Sequence, residues 1–277
     1  MIFFDKFDIL PLSTITVPPY TTTNTVAYGQ ENFVIIDPAT KNQEHQDLLV
    51  KYISNRLNKK QKFLAILLTH HHADHVGFAE TLSQSFGVAI YAHHLAAQHL
   101  SFTIDKKLVD GEIITLDNNT SLRVIFTPGH AESHVVFYDN QEQCLIAGDM
   151  ITDRGTILIP PISGNLKIYL DSLFSLSYLS LKIIIPAHGL AITKEPNNFL
   201  LTAIKHRLSR IESIYQILKL DSYLDPTEIT QAVYGDSFDD NILPFAQLSV
   251  ESSLQWLLEM GLAEQAKHRW RLRHASP

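Results

Sequence analysis

The run His70-x-His72-x-Asp74-His75 puts four metal-ligating groups within a few residues of one another in a 277-residue chain. Side chains alternate along an extended segment, so His70 and His72 share one direction and can chelate one ion. Asp74 and His75 begin the helix expected next and face a second ion. Imidazole and carboxylate are donors that divalent ions such as zinc accept, but two ions with about four ligands each need more groups than one motif supplies. His130, Asp149 and His188, each at the end of an apolar run, are the natural sources. Two divalent ions held side by side lower the pKa of a shared water towards neutrality and bind a developing oxyanion. A metal-bridging hydroxide of this kind hydrolyses an ester, thioester, amide or phosphodiester.

The remaining histidines, of 14 in all, have blander expectations. His134, four residues after His130, lies near the site and either donates to substrate or holds the scaffold. His71 points away from its neighbours by alternation, and His93, His94 and His99 fall in a short helix with structural roles. The single cysteine, Cys144, sits inside an apolar strand as a small packed hydrophobe, so an intrachain disulfide and a cysteine-based zinc finger are both excluded.

The elements that must position these groups follow from the pattern of apolar residues. Thr25 to Tyr28 and Phe33 to Ile36 flank a turn cluster and form a hairpin whose second strand ends at Asp37. A helix over about 44–57 precedes the buried strand Phe63 to Leu68, which runs into His70. A helix over 76–86 follows, then strands over 88–91, 113–116 and 122–126, the last leading to His130. Strands 135–138 and 144–147 lead to Asp149, and a helix over 166–179 precedes the strand 183–185, which leads to His188. Loops at the ends of strands are where a rigid sheet presents catalytic and ligand groups.

From about Pro196 the alternation stops and the chain turns helical, which divides it into residues 1–196 and 197–277. A long helix runs over 197–219, a second is capped by Asp225 with Pro226 in its first turn, and a third spans 244–260. Two short wing strands, 262–263 and 270–272, complete a small helical, winged-helix-like unit. Its third helix carries Glu251 and Glu259 and neither Lys nor Arg, which is poor chemistry for a major-groove reader. The basic cluster from Lys267 to His274 interleaves Trp270 with cations, as single-strand binding surfaces do, or makes a solvated wing or a homodimer contact.

These successive motifs resemble the metallo-β-lactamase superfamily: Asp37, then His70-x-His72-x-Asp74-His75, then His130, Asp149 and His188. The resemblance implies an α+β fold, a four-layer αββα sandwich with a dinuclear site along one edge. It assigns His70, His72 and His130 to the first metal and Asp74, His75 and His188 to the second. Asp149 bridges them, Asp74 orients the hydroxide, and Asp37 is structural beside the site. Zinc is the expected metal, with iron or manganese also suited to these donors. The metal motifs together with His206-Arg207 and the terminal wing resemble the LACTB-2-like subgroup, some of whose members are zinc endoribonucleases on single-stranded RNA.

Composition bounds the function further. A formal charge of −7 disfavours a nonspecific duplex-DNA binder, no stretch is continuously apolar enough to span a bilayer, and the acidic N-terminus is unlike a transit peptide, so a cytoplasmic protein without a membrane partner is expected. A true β-lactamase is disfavoured because Asp149 occupies the bridging position and no cysteine serves as a ligand. The short stretch between Asp149 and His188 leaves no room for the inserted domain of the longer nucleases. Three readings remain: an endoribonuclease on single-stranded RNA, a glyoxalase-II-like thioesterase or small-ester hydrolase, and a metal-stabilised binding protein without activity.

Overall fold

The computed structural model describes residues 2–3, 5–219, 223–235 and 242–273. A seven-stranded sheet takes its strands in chain order: β1 (Ile2–Phe3), β2 (Phe7–Ser13), β3 (Thr22–Tyr28), β4 (Asn32–Ile36), β5 (Lys62–Leu67), β6 (Ala89–His93) and β7 (Lys106–Leu108). A five-stranded sheet is ordered β12 (Ile183–Pro186), β11 (Cys144–Gly148), β10 (Val135–Asp139), β9 (Thr120–Phe126) and β8 (Ile113–Asp117). Pairing is parallel from β4 through β7 and between β11 and β12, and antiparallel elsewhere in the two sheets.

Alternation along the strands decides what each face meets. Val34, Ile36, Ala65 and Leu67 point inward with Val124, Val135, Phe137, Cys144 and Ile146 of the other sheet, forming the core between the sheets. Phe33, Ile35, Ile66 and Leu68 point the other way, under Leu49 and Ile53 of α1 (Gln43–Asn58) and Leu82 of α3 (Ala79–Phe86). The outer face of the second sheet, with Val136, Tyr138, Leu145 and Ala147, is covered by α4 (Leu166–Leu176). The result is the expected αββα sandwich.

The elements differ from the sequence reading in three ways. The helix expected over 76–86 is broken into α2 (Ala73–Val76) and α3. At the break Phe78 N donates to Pro38 O at 2.9 Å, and a side chain on Gly77 would come within 2.3 Å of Ala39 O, so the loop after β4 pins the chain there. Strands β1, β2 and β7 are additions, the first only two residues long, the second carrying Pro11 within its run and the third only three residues long. The helix expected over 166–179 stops at Leu176.

The C-terminal part consists of α5 (Pro196–Leu218), α6 (Pro226–Tyr234), α7 (Leu243–Glu259) and a hairpin of β13 (Ala263–Ala266) and β14 (Arg269–Leu272). Leu200, Ile204, Ile211 and Ile214 of α5 and Val250, Leu254 and Leu257 of α7 lie in the same apolar cluster as Leu170 and Leu173 of α4. One core therefore runs across residue 196. His274, at the end of the basic cluster, lies outside the described residues.

Candidate metal centre

The loops that follow β4, β5, β9, β11 and β12 open on one edge of the sandwich, and each delivers part of the site. Donor atoms of His70, His72, His130 and Asp149 lie within 4.8 Å of one another, as do those of Asp74, His75 and His188. Asp149 touches both groups: its Oδ2 is 3.2 Å from His130 Nε2, and its Oδ1 is 3.5 Å from His75 Nε2 and 3.4 Å from His188 Nε2. Asp74 approaches the second group, with Oδ2 3.6 Å from His188 Nε2.

Hydrogen bonds on the far side of four rings fix which nitrogen faces inward. His75 Nδ1 donates to Asp37 Oδ2 at 2.8 Å, His130 Nδ1 to Leu158 O at 2.9 Å, and His188 Nδ1 to Thr22 O at 3.0 Å. His70 Nδ1 lies 3.0 Å from Thr69 Oγ1, whose own hydrogen goes to Asp37 Oδ2, so the imidazole is the donor there too. All four rings thus turn Nε2, with its lone pair, towards the cluster, the arrangement that ligating histidines require. His72 joins them through Nδ1, 2.9 Å from His130 Nε2.

Asp37 organises the base of the site. Its carboxylate accepts from Thr69 N at 2.8 Å, from Thr69 Oγ1 at 2.6 Å and from His75 Nδ1. The residue is 2% exposed, and its φ of +49° places a non-glycine residue in the left-handed region. Such strain persists only where the surroundings over-determine it, as they do here.

His134 is buried completely and does not face the cleft. Its Nε2 accepts from Asp149 N at 3.0 Å while Nδ1 pairs with Thr127 Oγ1 at 2.9 Å, so the ring holds the backbone of the shared carboxylate. Of its two expected roles, scaffold and substrate contact, the geometry has the first. The preceding Gly148 has φ +49°, and a Cβ there would meet His134 Nε2 at 2.6 Å and Thr69 Cβ at 2.9 Å. Only glycine allows Asp149 to be presented so tightly. His71 leaves the cluster as expected, pairing with Ser133 Oγ at 2.7 Å and stacking on His99.

The electrostatics of the metal-free site are polarised. Burial, reinforced by His75 and His72, holds His70 well below the ordinary imidazole value, and burial with His130 pushes His72 down to about 3. His75 goes the other way: burial disfavours its charge, but Asp149 and Asp37 together hold it well above the ordinary value. Asp149 is held well below the usual carboxylate range, because His188, His75 and His130 outweigh its burial.

His70 Nε2, His75 Nε2 and Asp149 Oδ1 are buried and have no hydrogen-bond partner. Buried polar atoms are rarely left so, and bound cations would satisfy all three. The donor set, imidazole and carboxylate with fixed outer nitrogens, fits divalent metals.

Above the cluster lies a cavity of about 420 Å³ that reaches Tyr20, Thr152 and Arg154 at its rim and is walled by Ile157, Leu158 and the start of α7. The roof was missed by sequence reasoning, since nothing local in α7 signals that its first turns stand over loops from the other half of the chain.

The family model of the metallo-β-lactamase superfamily matches residues 18–188. Lactamase-like protein aptB of Emericella nidulans is 30% identical over 235 residues, 76% of this chain and 70% of its own length. A hydroxyacylglutathione hydrolase of Francisella tularensis subsp. novicida is 31% identical over 55% of this chain and 56% of its own, and an atrochrysone carboxyl ACP thioesterase of Aspergillus fumigatus is 30% identical over 48% and 40%. The chain spans between 40% and 70% of the length of the curated relatives it matches. A metallo-β-lactamase family protein of Thermus thermophilus superposes with a TM-score of 0.79 at 21% identity, covering 98% of this chain and 99% of its own. With its sandwich, its histidine and aspartate loops on one edge and this match over most of its length, the chain belongs to the metallo-β-lactamase superfamily and is an enzyme of that family's hydrolase type.

Proposed function

We propose that the protein is a dinuclear metal hydrolase of a small thioester or ester. His70, His72 and His130 would hold one ion and Asp74, His75 and His188 a second, with the Asp149 carboxylate, which is near both groups, available to either. The observation that carries this reading is the cavity over the donor clusters: at about 420 Å³ it is largely apolar and bordered by the C-terminal helices, which suits the acyl group of a small molecule. The names of the hydrolase and thioesterase relatives support the same class. Zinc fits the donors, and iron and manganese fit them as well.

Two bound divalent ions would lower the pKa of water towards neutrality and polarise the carbonyl under attack. The residues of the chain do the rest. Asp37, Leu158 O, Thr22 O and Thr69 take up the Nδ1 hydrogens of the four imidazoles and so aim their Nε2 atoms at the cluster. Asp74 is the least enclosed of the carboxylates, with 18% of its side chain exposed at the cavity floor. Its carboxylate accepts the proton that water loses on adding to the carbonyl and returns it to the departing thiolate or alkoxide. Ile157, Leu158 and α7 exclude bulk water from the exchange.

The reading as an endoribonuclease, which the LACTB-2-like resemblance of the C-terminal unit suggests, has less support. In the hairpin, Arg269 pairs with Glu228 and Asp225 and Arg271 with Glu264, so these cations are already matched by carboxylates. Among the described residues, Arg154 is the one Lys or Arg that lines the cavity. The test is hydrolysis of a thioester panel and of a labelled single-stranded RNA by zinc-loaded protein beside Asp74→Ala. Thioester turnover that falls at least about 100-fold in the folded variant is expected. RNA cleavage lost in the variant, with thioesters untouched, would overturn the proposal in favour of the nuclease.

A further inference from the structure

One wall of the cavity carries none of the clustered His and Asp residues. Phe245, Ala246 and Ser249 line it on one face of the first two turns of α7, with Ile242, the residue before the helix, three positions earlier. Ile157 and Leu158 of the loop after β11 line the cavity as well. Three of the four residues at the start of α7 are apolar, and the fourth is a serine.

Behind that serine is a buried cation. Arg207 of α5 is 6% exposed; its Nη2 donates to Ile157 O, its Nη1 lies 3.5 Å from Ser249 Oγ, and its guanidinium stands 5.6 Å over the Tyr169 ring. No carboxylate pairs with it among the described residues, so its charge is met by a carbonyl, the hydroxyls of Ser249 and Tyr169, and a ring face. A buried cation so sparsely matched is costly, and its field favours any acceptor oxygen that can come near. Ser249 Oγ accepts from Arg207, and its own hydrogen has no acceptor among the described residues. A hydroxyl that accepts from a cation is a stronger donor in turn.

We propose that this face of α7 is the acyl-group pocket, that it takes a bulky apolar acyl group bearing a hydrogen-bond-accepting oxygen at its far end, and that Ser249, backed by Arg207, selects for that oxygen. Ala246 sets the depth of the pocket, because it is the smallest apolar residue on the wall and is itself buried. Phe245 lies alongside as an aromatic surface for a planar group. The C-terminal helices thereby determine substrate class while the sandwich determines reaction type.

The proposal rests on the thioester-hydrolase reading above, and its test keeps the two apart. Three N-acetylcysteamine thioesters serve as probes: acetyl, para-isopropylphenylacetyl and para-acetylphenylacetyl, the last two nearly equal in shape and differing in the acceptor oxygen. For the zinc-loaded enzyme kcat/KM is expected to rise about tenfold or more at each step of that series. Ala246→Phe is expected to lower both aryl thioesters relative to acetyl, and Ser249→Ala to erase the preference between the two aryl groups.

A wild type that turns over acetyl as well as the aryl thioesters would overturn the pocket. An unchanged aryl preference in Ser249→Ala would overturn the role of Ser249 and Arg207. Should no thioester be hydrolysed, the enzymatic reading fails, and calorimetric titration with the corresponding ketones, in which a methylene replaces sulfur, decides the pocket on its own. The same ranking of affinities and the same response to Ala246→Phe and Ser249→Ala would support it; equal affinities would overturn it.

Discussion

Asp37 shows how much of the centre is held by residues that never touch substrate. Its carboxylate sets the tautomer of His75 and, through Thr69, that of His70. Asp37→Asn presents an amide that cannot accept from all three donors, and the loss of such a partner weakens metal affinity about 10- to 100-fold. We expect the metal-to-protein ratio after dialysis against a mild chelator to fall towards one, measured by elemental analysis; a ratio equal to wild type would sink the assignment of Asp37 as a positioning residue. The protonation of the metal-free site gives a second expectation. His70, His72, His130 and His134 all lie below the ordinary value of 6.5 in the folded chain, so below about that pH the unfolded chain binds protons that the folded chain refuses. His75 is raised, and its contribution is present below 6.5 and lost as pH rises through its folded value. Four lowered groups outweigh one raised group. Thermal unfolding of the chelator-treated protein should therefore move to lower temperature as pH falls from 7.5 to 5, and a midpoint that rises over that range would contradict the burial described for these rings.

Element by element, the strands that lead to the clustered His and Asp residues were legible because each is an apolar run with one of those residues shortly after it, as in Phe63 to Leu68 before His70 and Cys144 to Ala147 before Asp149. What could not be read was whatever depends on contact between distant parts. The break between α2 and α3 is imposed by Pro38 and Ala39 on Gly77 and Phe78, and the orientation of His134 depends on Thr127 and Asp149. Helix α6 was legible from its cap: Asp225 accepts from Glu228 N at 2.9 Å while Glu228 accepts from Asp225 N at 2.8 Å, with Pro226 in the first turn. Its far end, Tyr234, reaches the cavity. Asp225→Ala removes one half of this reciprocal pair and should cost about 1 kcal/mol in urea unfolding. A change in the urea midpoint too small to detect would mean that α6 is held by packing alone.

At the scale of the whole molecule, residues 1–196 and 197–277 differ in sequence pattern but share one apolar cluster across α4, α5 and α7. Ending the chain after Pro196 would leave Leu170, Leu173 and Leu176 of α4 uncovered, and a large exposed apolar patch drives association. We expect the truncated chain to bind a hydrophobic dye strongly and to precipitate on concentration; a soluble fragment with a sharp unfolding transition would instead make the two parts independent domains. The proposed metal ligands all come from loops of the first part, whereas Tyr234, Phe245, Ala246 and Ser249 above them come from the second. Inheritance can therefore act on the two separately. A duplicated copy of this gene could drift through substitutions along α6 and α7 and acquire a taste for a different acyl compound, generation by generation, without ever passing through an ancestor that had lost its metals.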